Sequence, residues 1–133
     1  EAAVNGPDTI SGLCAPGGRL YETRRAVIEA CAASEHLQLV APAGALYAFP
    51  AVVGPAAQGF DDHEFALELM NEEGVLVVPG SSFNVPYRHH FRVTLLPEAG
   101  VMREVFGRID RVLARRAERI TKVVPLKTRS AVA

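Results

Sequence analysis

The chain is 133 residues long, 49% hydrophobic and 22% charged, with a formal net charge of −1. So apolar a chain with so little net charge is not intrinsically disordered, and the length suits one domain able to bury a core. Fourteen basic residues against fifteen acidic ones argue against a nucleic-acid platform, although basic residues crowd between Arg103 and Arg129.

No charged residue stands between Glu35 and Asp61, a stretch long enough to cross a bilayer. Pro42, Pro50 and Pro55, with Gly44, Gly54 and Gly59, break any helix there, so buried strands joined by turns are expected and no membrane partner is. No basic segment leads into an apolar one as in a secretory signal. Cys14 and Cys31 form neither a CxxC pair nor a disulfide framework, which points to a reducing, cytoplasmic setting. The chain opens at Glu1 rather than Met, the start expected of a fragment or a processed product.

Residues 1–18, rich in Gly, Pro and small polar groups, read as an irregular approach. From Arg19 to about Ser34 the pattern is helical: Leu20, Arg24, Val27, Ile28 and Cys31 recur at spacings of three and four beside Glu22, Arg25 and Glu29. Leu37–Ala41 and Ala45–Val53 are extended runs about a Pro42-Ala43-Gly44 turn, a hairpin pattern. The next helix has clear start and stop signals. Asp61 is placed to cap the first turn with Glu64 completing a capping box, Phe60 to staple against Phe65, and Gly74 to end the helix, with Phe65, Leu69 and Met70 inward.

Val75–Val78 reads as a fully apolar strand, stopped by Pro79-Gly80-Ser81-Ser82 and a loop to about Tyr87. His90–Leu96 is the last strand, with Phe91, Val93 and Leu95 on one face and His90, Arg92 and Thr94 on the other. Pro97 opens a long helix striped by Val101, Val105, Ile109, Val112 and Leu113, opposite Arg103, Glu104, Arg108, Arg111 and Arg115. The predicted fold class is therefore α+β: a small, largely antiparallel sheet covered by helices in the order α-β-β-α-β-β-α. The division is an irregular segment 1–18, a domain 19–120 and a polar, basic tail 121–133.

Candidate chemistry is sparse. His89 and His90 are adjacent, so on a strand they point to opposite faces, and no third ligand stands at metal-site spacing; no metal is expected. Pro79-Gly80-Ser81-Ser82-Phe83-Asn84 has the composition of an anion-binding loop but lacks the P-loop and dinucleotide signatures, and an ordinary turn explains it as well. No G-x-S-x-G nucleophile elbow occurs, and the helix-borne arginines read as a solvated face. Arg92 stands inside a strand, where a rigidly held guanidinium grips a carboxylate through two parallel hydrogen bonds. On spacing alone, a plain surface charge is the better reading.

Five segments change that balance: Pro16-Gly17-Gly18-Arg19-Leu20-Tyr21-Glu22-Thr23-Arg24, Gly44-Ala45-Leu46-Tyr47-Ala48-Phe49-Pro50, Phe60-Asp61-Asp62-His63-Glu64-Phe65-Ala66, Val78-Pro79-Gly80-Ser81-Ser82-Phe83-Asn84-Val85-Pro86 and His90-Phe91-Arg92-Val93-Thr94. In this order, over roughly residues 9–117, they resemble the C-terminal small domain of class I/II pyridoxal-phosphate-dependent aminotransferases, nearest the bacterial alanine/aspartate aminotransferase branch. The resemblance implies an α+β layer in which Arg92, in the FR-[IV]-[ST] strand, holds the substrate α-carboxylate. Ser81, Ser82, Phe83 and Asn84 are implied to line the cleft, and the Gly44–Tyr47 hairpin to be mainly structural.

The same resemblance implies pyridoxal 5′-phosphate as cofactor, amino acids and 2-oxo acids as substrates, and a homodimeric parent. The family's Schiff-base lysine has no counterpart here, because Lys122 and Lys127, the only lysines, lie in the tail. No catalytic or cofactor-binding residue is therefore assigned to this segment, which is expected to be inactive alone and to self-associate through the face the missing domain would cover. Two rivals remain: a stand-alone, non-catalytic α+β domain binding a small carboxylate or a protein, and an interaction module using the basic final helix.

Overall fold

A computed structural model describes residues 9–123. Helix α1 (Thr9–Cys14) leads to α2 (Arg19–Ala33) and then to strands β1 (Leu37–Gln38), β2 (Tyr47–Ala48) and β3 (Ala51–Val52). A 3₁₀ turn at Gly54–Ala57, helix α3 (Asp62–Glu73), strand β4 (Val78–Pro79) and a second 3₁₀ turn at Gly80–Phe83 follow; β5 (Phe91–Thr94) and the long helix α4 (Ala99–Val123) complete the order. The class is α+β, and every strand pairing among the described residues is antiparallel.

Several boundaries differ from the sequence expectation. Thr9–Cys14 is helical rather than irregular. Six residues are too few to hold a helix alone, and this one is stabilised by packing on α2 and by the Ala15 amide donating to the Ser11 carbonyl at 2.9 Å. At the other end, residues 121–123 continue α4 instead of starting the tail. The remainder of the tail and residues 1–8 lie outside the described residues.

The expected hairpin forms only at its base, where β1 pairs with β3 through Leu37↔Val52 and Gln38↔Ala51. The earlier part of the second run, β2, turns instead to β5 through Tyr47↔Thr94 and Ala48↔Val93. The bridge Ala51↔His90 continues that same register, so residues 47–51 run alongside β5 as one antiparallel ribbon. It is interrupted at Pro50, which has no amide to donate, though its carbonyl still accepts from the Phe91 amide at 3.2 Å. On the other side of β5 lies β4, paired through Val78↔Arg92 and Pro79↔Phe91. Of the expected run Val75–Val78 only Val78 is strand, and Pro79, expected to stop it, is the second strand residue; Val75 and Val77 are buried while Leu76 is 77% exposed, so the run is not buried throughout.

Helix α3 follows its sequence signals closely. The Asp61 carboxylate accepts from the Glu64 amide at 2.8 Å, the Phe60 and Phe65 ring centroids are 5.2 Å apart, and Gly74 closes the helix in the left-handed region at φ 65°. Phe65 and Leu69 are fully buried, but Met70 is 44% exposed. In α4 the buried positions are Met102, Phe106, Ile109, Val112, Leu113 and Ala117, and Val101 stands outside that stripe. The core joins these residues to Val27 and Cys31 of α2, to Phe65 and Leu69 of α3, and to Phe91, Val93 and Leu95 of the last strand and its exit.

Candidate functional site

β5 sets the site by simple alternation. Phe91 and Val93 point into the core, so Arg92 and Thr94 occupy the opposite face. Tyr47 lies directly across from Thr94 and therefore diagonally from Arg92, within reach of a long side chain on the same face. Its ring centroid is 4.4 Å from the Arg92 guanidinium carbon, and that of Phe83 is 4.6 Å away. Two aromatic rings thus pack against one guanidinium, the arrangement in which ring quadrupoles attract a cation. The Arg92 Nε is buried with no acceptor among the described residues. Among the described residues no carboxylate is paired with this arginine, whose cationic head is held against rings instead.

Phe83 comes from the 3₁₀ turn after β4, and that turn is pinned at three points. The Gly80 amide donates to the His90 carbonyl at 2.9 Å, and a Cβ on Gly80 would stand 2.5 Å from that same oxygen. Gly80→Ala should therefore push the turn off β5 and lower stability by about 1–3 kcal/mol, read as a lower urea midpoint for the 133-residue chain. At the next residue, the Ser81 amide and hydroxyl donate to the Asp62 carboxylate at 2.7 and 3.1 Å. Asn84 then closes the turn at φ 53°, its amide donating to the Ser81 carbonyl.

Asp62 is buried, the first residue of α3. Burial pushes its carboxyl upward, but the two Ser81 hydrogen bonds and the neighbouring His63 more than offset that, leaving it below the usual carboxylate range. A depressed folded-state pKa contributes stability that is fully present above the unfolded pKa and is lost as pH falls through the folded value. The chain should therefore lose stability below about pH 4 more steeply than Asp62→Asn does, measured by urea denaturation across that range. Parallel slopes would remove Asp62 as the source.

An aromatic cluster backs the turn. Phe49 meets Phe83 edge-on at 6.0 Å and stacks on His90 at 5.1 Å, and Tyr87 lies 4.8 Å from the His90 ring. Burial, with His89 nearby, holds His90 below the ordinary histidine range. The His89 and His90 rings lie 5.8 Å apart instead of on opposite faces, because residue 90 is only an isolated bridge ahead of the regular strand. Among the described residues no group of three or more His, Cys, Asp or Glu is placed to hold a metal.

Of the loop residues singled out from sequence, Phe83 reaches Arg92; Ser81 turns to Asp62, and Ser82 and Asn84 are exposed. Tyr47 and Asp62 were missed. The signal for Tyr47 was available in the pattern, since an aromatic on the neighbouring strand falls beside Arg92 once register is known. Asp62 looked like a second acidic residue in a helix's first turn, and only the tertiary contact with Ser81 distinguishes it.

The α4 arginines form the exposed face expected of them, but most of them are tied to groups of the same chain. Arg111 and Arg115 pair with Glu73 at 2.8 and 3.4 Å, Arg115 also with Glu72 at 2.6 Å, and Arg119 with Glu68 at 2.6 Å. Arg108 donates to the Glu73 carbonyl at 2.8 Å, and Arg116 to the Ala56 and Gly59 carbonyls at 3.0 and 2.7 Å. Arg108, Arg111 and Arg115 gather at the C-terminal end of α3, where free carbonyls and the helix dipole favour positive charge. These pairings within the chain count against an interaction module built on the α4 arginines.

The family model for aminotransferase class I and II matches residues 3–109. The chain belongs to that family. It is 38% identical over 97 residues to the glutamate-pyruvate aminotransferase AlaA of Escherichia coli (strain K12), covering 73% of this chain and 24% of that protein. It is 37% identical over 97 residues to the alanine aminotransferase of Mycobacterium tuberculosis (strain H37Rv), covering 73% of this chain and 23% of that protein. In fold it superposes on an aminotransferase from Escherichia coli with a TM-score of 0.78 and 34% identity, over 85% of this chain and 28% of that one. The aspartate aminotransferase of Rhizobium meliloti gives a TM-score of 0.69 at 26% identity, over 86% and 29% of the two chains. The chain spans about a quarter of the length of the curated relatives it matches.

Class I and II aminotransferases imply pyridoxal phosphate, and the described residues do not fit it as a covalent site. Their one lysine, Lys122, is 78% exposed near the end of α4 and 3.5 Å from Glu118. What this aminotransferase segment does present is a cation on a rigid strand. Among the described residues no helix is long and apolar enough to cross a membrane.

Proposed function

We propose that this chain supplies the substrate-carboxylate grip of a pyridoxal-phosphate-dependent aminotransferase, which moves an amino group between an amino acid of the alanine or aspartate/glutamate type and a 2-oxo acid. The observation that carries this is Arg92: a strand-held guanidinium packed against two rings, with no carboxylate among the described residues as partner. Such a group takes an α-carboxylate by two parallel charge-assisted hydrogen bonds. Fixing the carboxylate fixes the substrate about its Cα, which is the orientation an amino-group transfer needs. Relatives named for alanine and glutamate-pyruvate transfer support the substrate class.

The chain alone neither transaminates nor holds the cofactor covalently, since the one lysine among its described residues, Lys122, stands exposed in the last turn of α4. A cytoplasmic setting and a homodimeric parent belong to the same proposal. The test is the absorbance spectrum after adding pyridoxal phosphate, followed by borohydride, on the 133-residue chain and on the longer polypeptide that carries it. A borohydride-fixed adduct in the longer polypeptide alone is the expected result. A stoichiometric adduct mapped to Lys122 or Lys127 would overturn the assignment.

A further inference from the structure

The exposed aromatics beside Arg92 need an explanation that core packing does not give. Tyr47 is 45% and Phe83 37% exposed, yet both rings approach the same guanidinium. Asp62 is one of two buried polar or charged side chains among the described residues, and its hydrogen bonds go not to a cation but to Ser81, two residues before Phe83. Burying a charge is unfavourable unless its hydrogen bonds are well placed. Here they serve to fix one turn, whose start is already locked by the close approach of Gly80 to His90.

We propose that Tyr47 and Phe83 form an aromatic clamp that fixes the plane of the Arg92 guanidinium with its outer edge free, and that Asp62, through Ser81, positions the Phe83 half. This rests on the carboxylate reading above and assigns three further residues to it. Arginine is long and rotamer-rich, so an unclamped guanidinium must be ordered by each substrate that binds. Rings packed against it order it beforehand and leave free the edge that makes bidentate contact. Asp62 is thus a positioning residue: it touches neither Arg92 nor the substrate, and acts by where it holds the turn.

The experiment is a set of variants of the polypeptide that carries this segment, with KM for the amino acid and kcat read separately. Phe83→Leu should raise KM about fivefold, matching the loss of one ring from a cation, with kcat changed less than twofold. Phe83→Tyr, which keeps a ring, should restore KM. Asp62→Asn should raise KM about threefold by itself, yet add nothing in the Phe83→Leu background, because both act through the same ring. Ser81→Ala tests the same link should Asp62→Asn fold poorly. An unchanged KM for Phe83→Leu, or fully additive effects of Asp62→Asn and Phe83→Leu, would overturn the clamp. Arg92→Ala separates the two levels: an unchanged KM there removes the carboxylate reading itself, whereas a raised KM alongside a neutral Phe83→Leu removes the clamp alone.

Discussion

Replacing Arg92 with Ala, in the polypeptide that carries this segment, should raise the KM for the amino acid by about a hundredfold or more. Each hydrogen bond to a charged partner contributes about 1.5–3 kcal/mol, and a bidentate pair therefore amounts to about 3 kcal/mol or more, which is a factor of about a hundred. Arg92→Lys should recover only a fraction, because an ammonium is a point charge without the planar fork that matches a carboxylate. The pyridoxal phosphate absorbance should be the same in both variants and in the parent, since Arg92 is proposed to hold substrate and not cofactor. Steady-state kinetics with alanine and glutamate, alongside the absorbance spectrum, decides the matter: an unchanged KM would take Arg92 out of the site.

Phe91→Ala carries the largest expected effect on folding. Phe91 is completely buried, sits beside Arg92 on β5, and faces Phe65 of α3 with ring centroids 5.4 Å apart. It thus ties the strand that presents Arg92 to the helix that presents Asp62. Truncating a buried phenylalanine costs about 3–5 kcal/mol through lost burial and the cavity left behind. Against a total stability of about 5–15 kcal/mol for an ordinary domain, the 133-residue chain should lose at least about a fifth of its stability. Urea denaturation followed by far-ultraviolet circular dichroism measures this directly. A loss below about 1 kcal/mol would mean that the cavity collapses and that the core is not organised around this ring.

How much of this could be read in advance depended on the range of the interactions. The start, stop and staple of α3 depend on residues within one or two turns of each other, and Asp61, Phe60 and Gly74 occupy the expected positions. The alternation of β5 was equally local, and it put Arg92 on the right face. The errors arose where distant parts of the chain meet. Pro50 divides one extended run between two partners, which no hydrophobic period reveals. Val101 fits a helical stripe on paper, but the surface α4 rests on selects Met102 and Phe106 instead. The α4 arginines are exposed as expected, but their partners on other elements were hidden because those carbonyls and glutamates lie 35 or more residues away in sequence. Of the candidate site, Arg92 and Phe83 were singled out through family motifs, whereas finding Tyr47 and Asp62 beside them needed the register and the tertiary contact.

The strands themselves are brief, and that brevity guards against a particular failure. β5 is the longest at four residues, and it is covered on both sides, by β4 and by the ribbon that contains β2. The edge strands, β1 and β3 of one sheet and β2 and β4 of the other, have two residues each, and one of the two in β4 is Pro79. A row of unpaired amides and carbonyls is what recruits another chain into a growing sheet, and short or proline-bearing margins deny it. Apolar side chains such as Val40 and Leu76 do remain in solvent. Among the described residues, contact between copies of this chain is therefore favoured through side-chain faces over extension of the sheet, whose margins offer only two-residue templates.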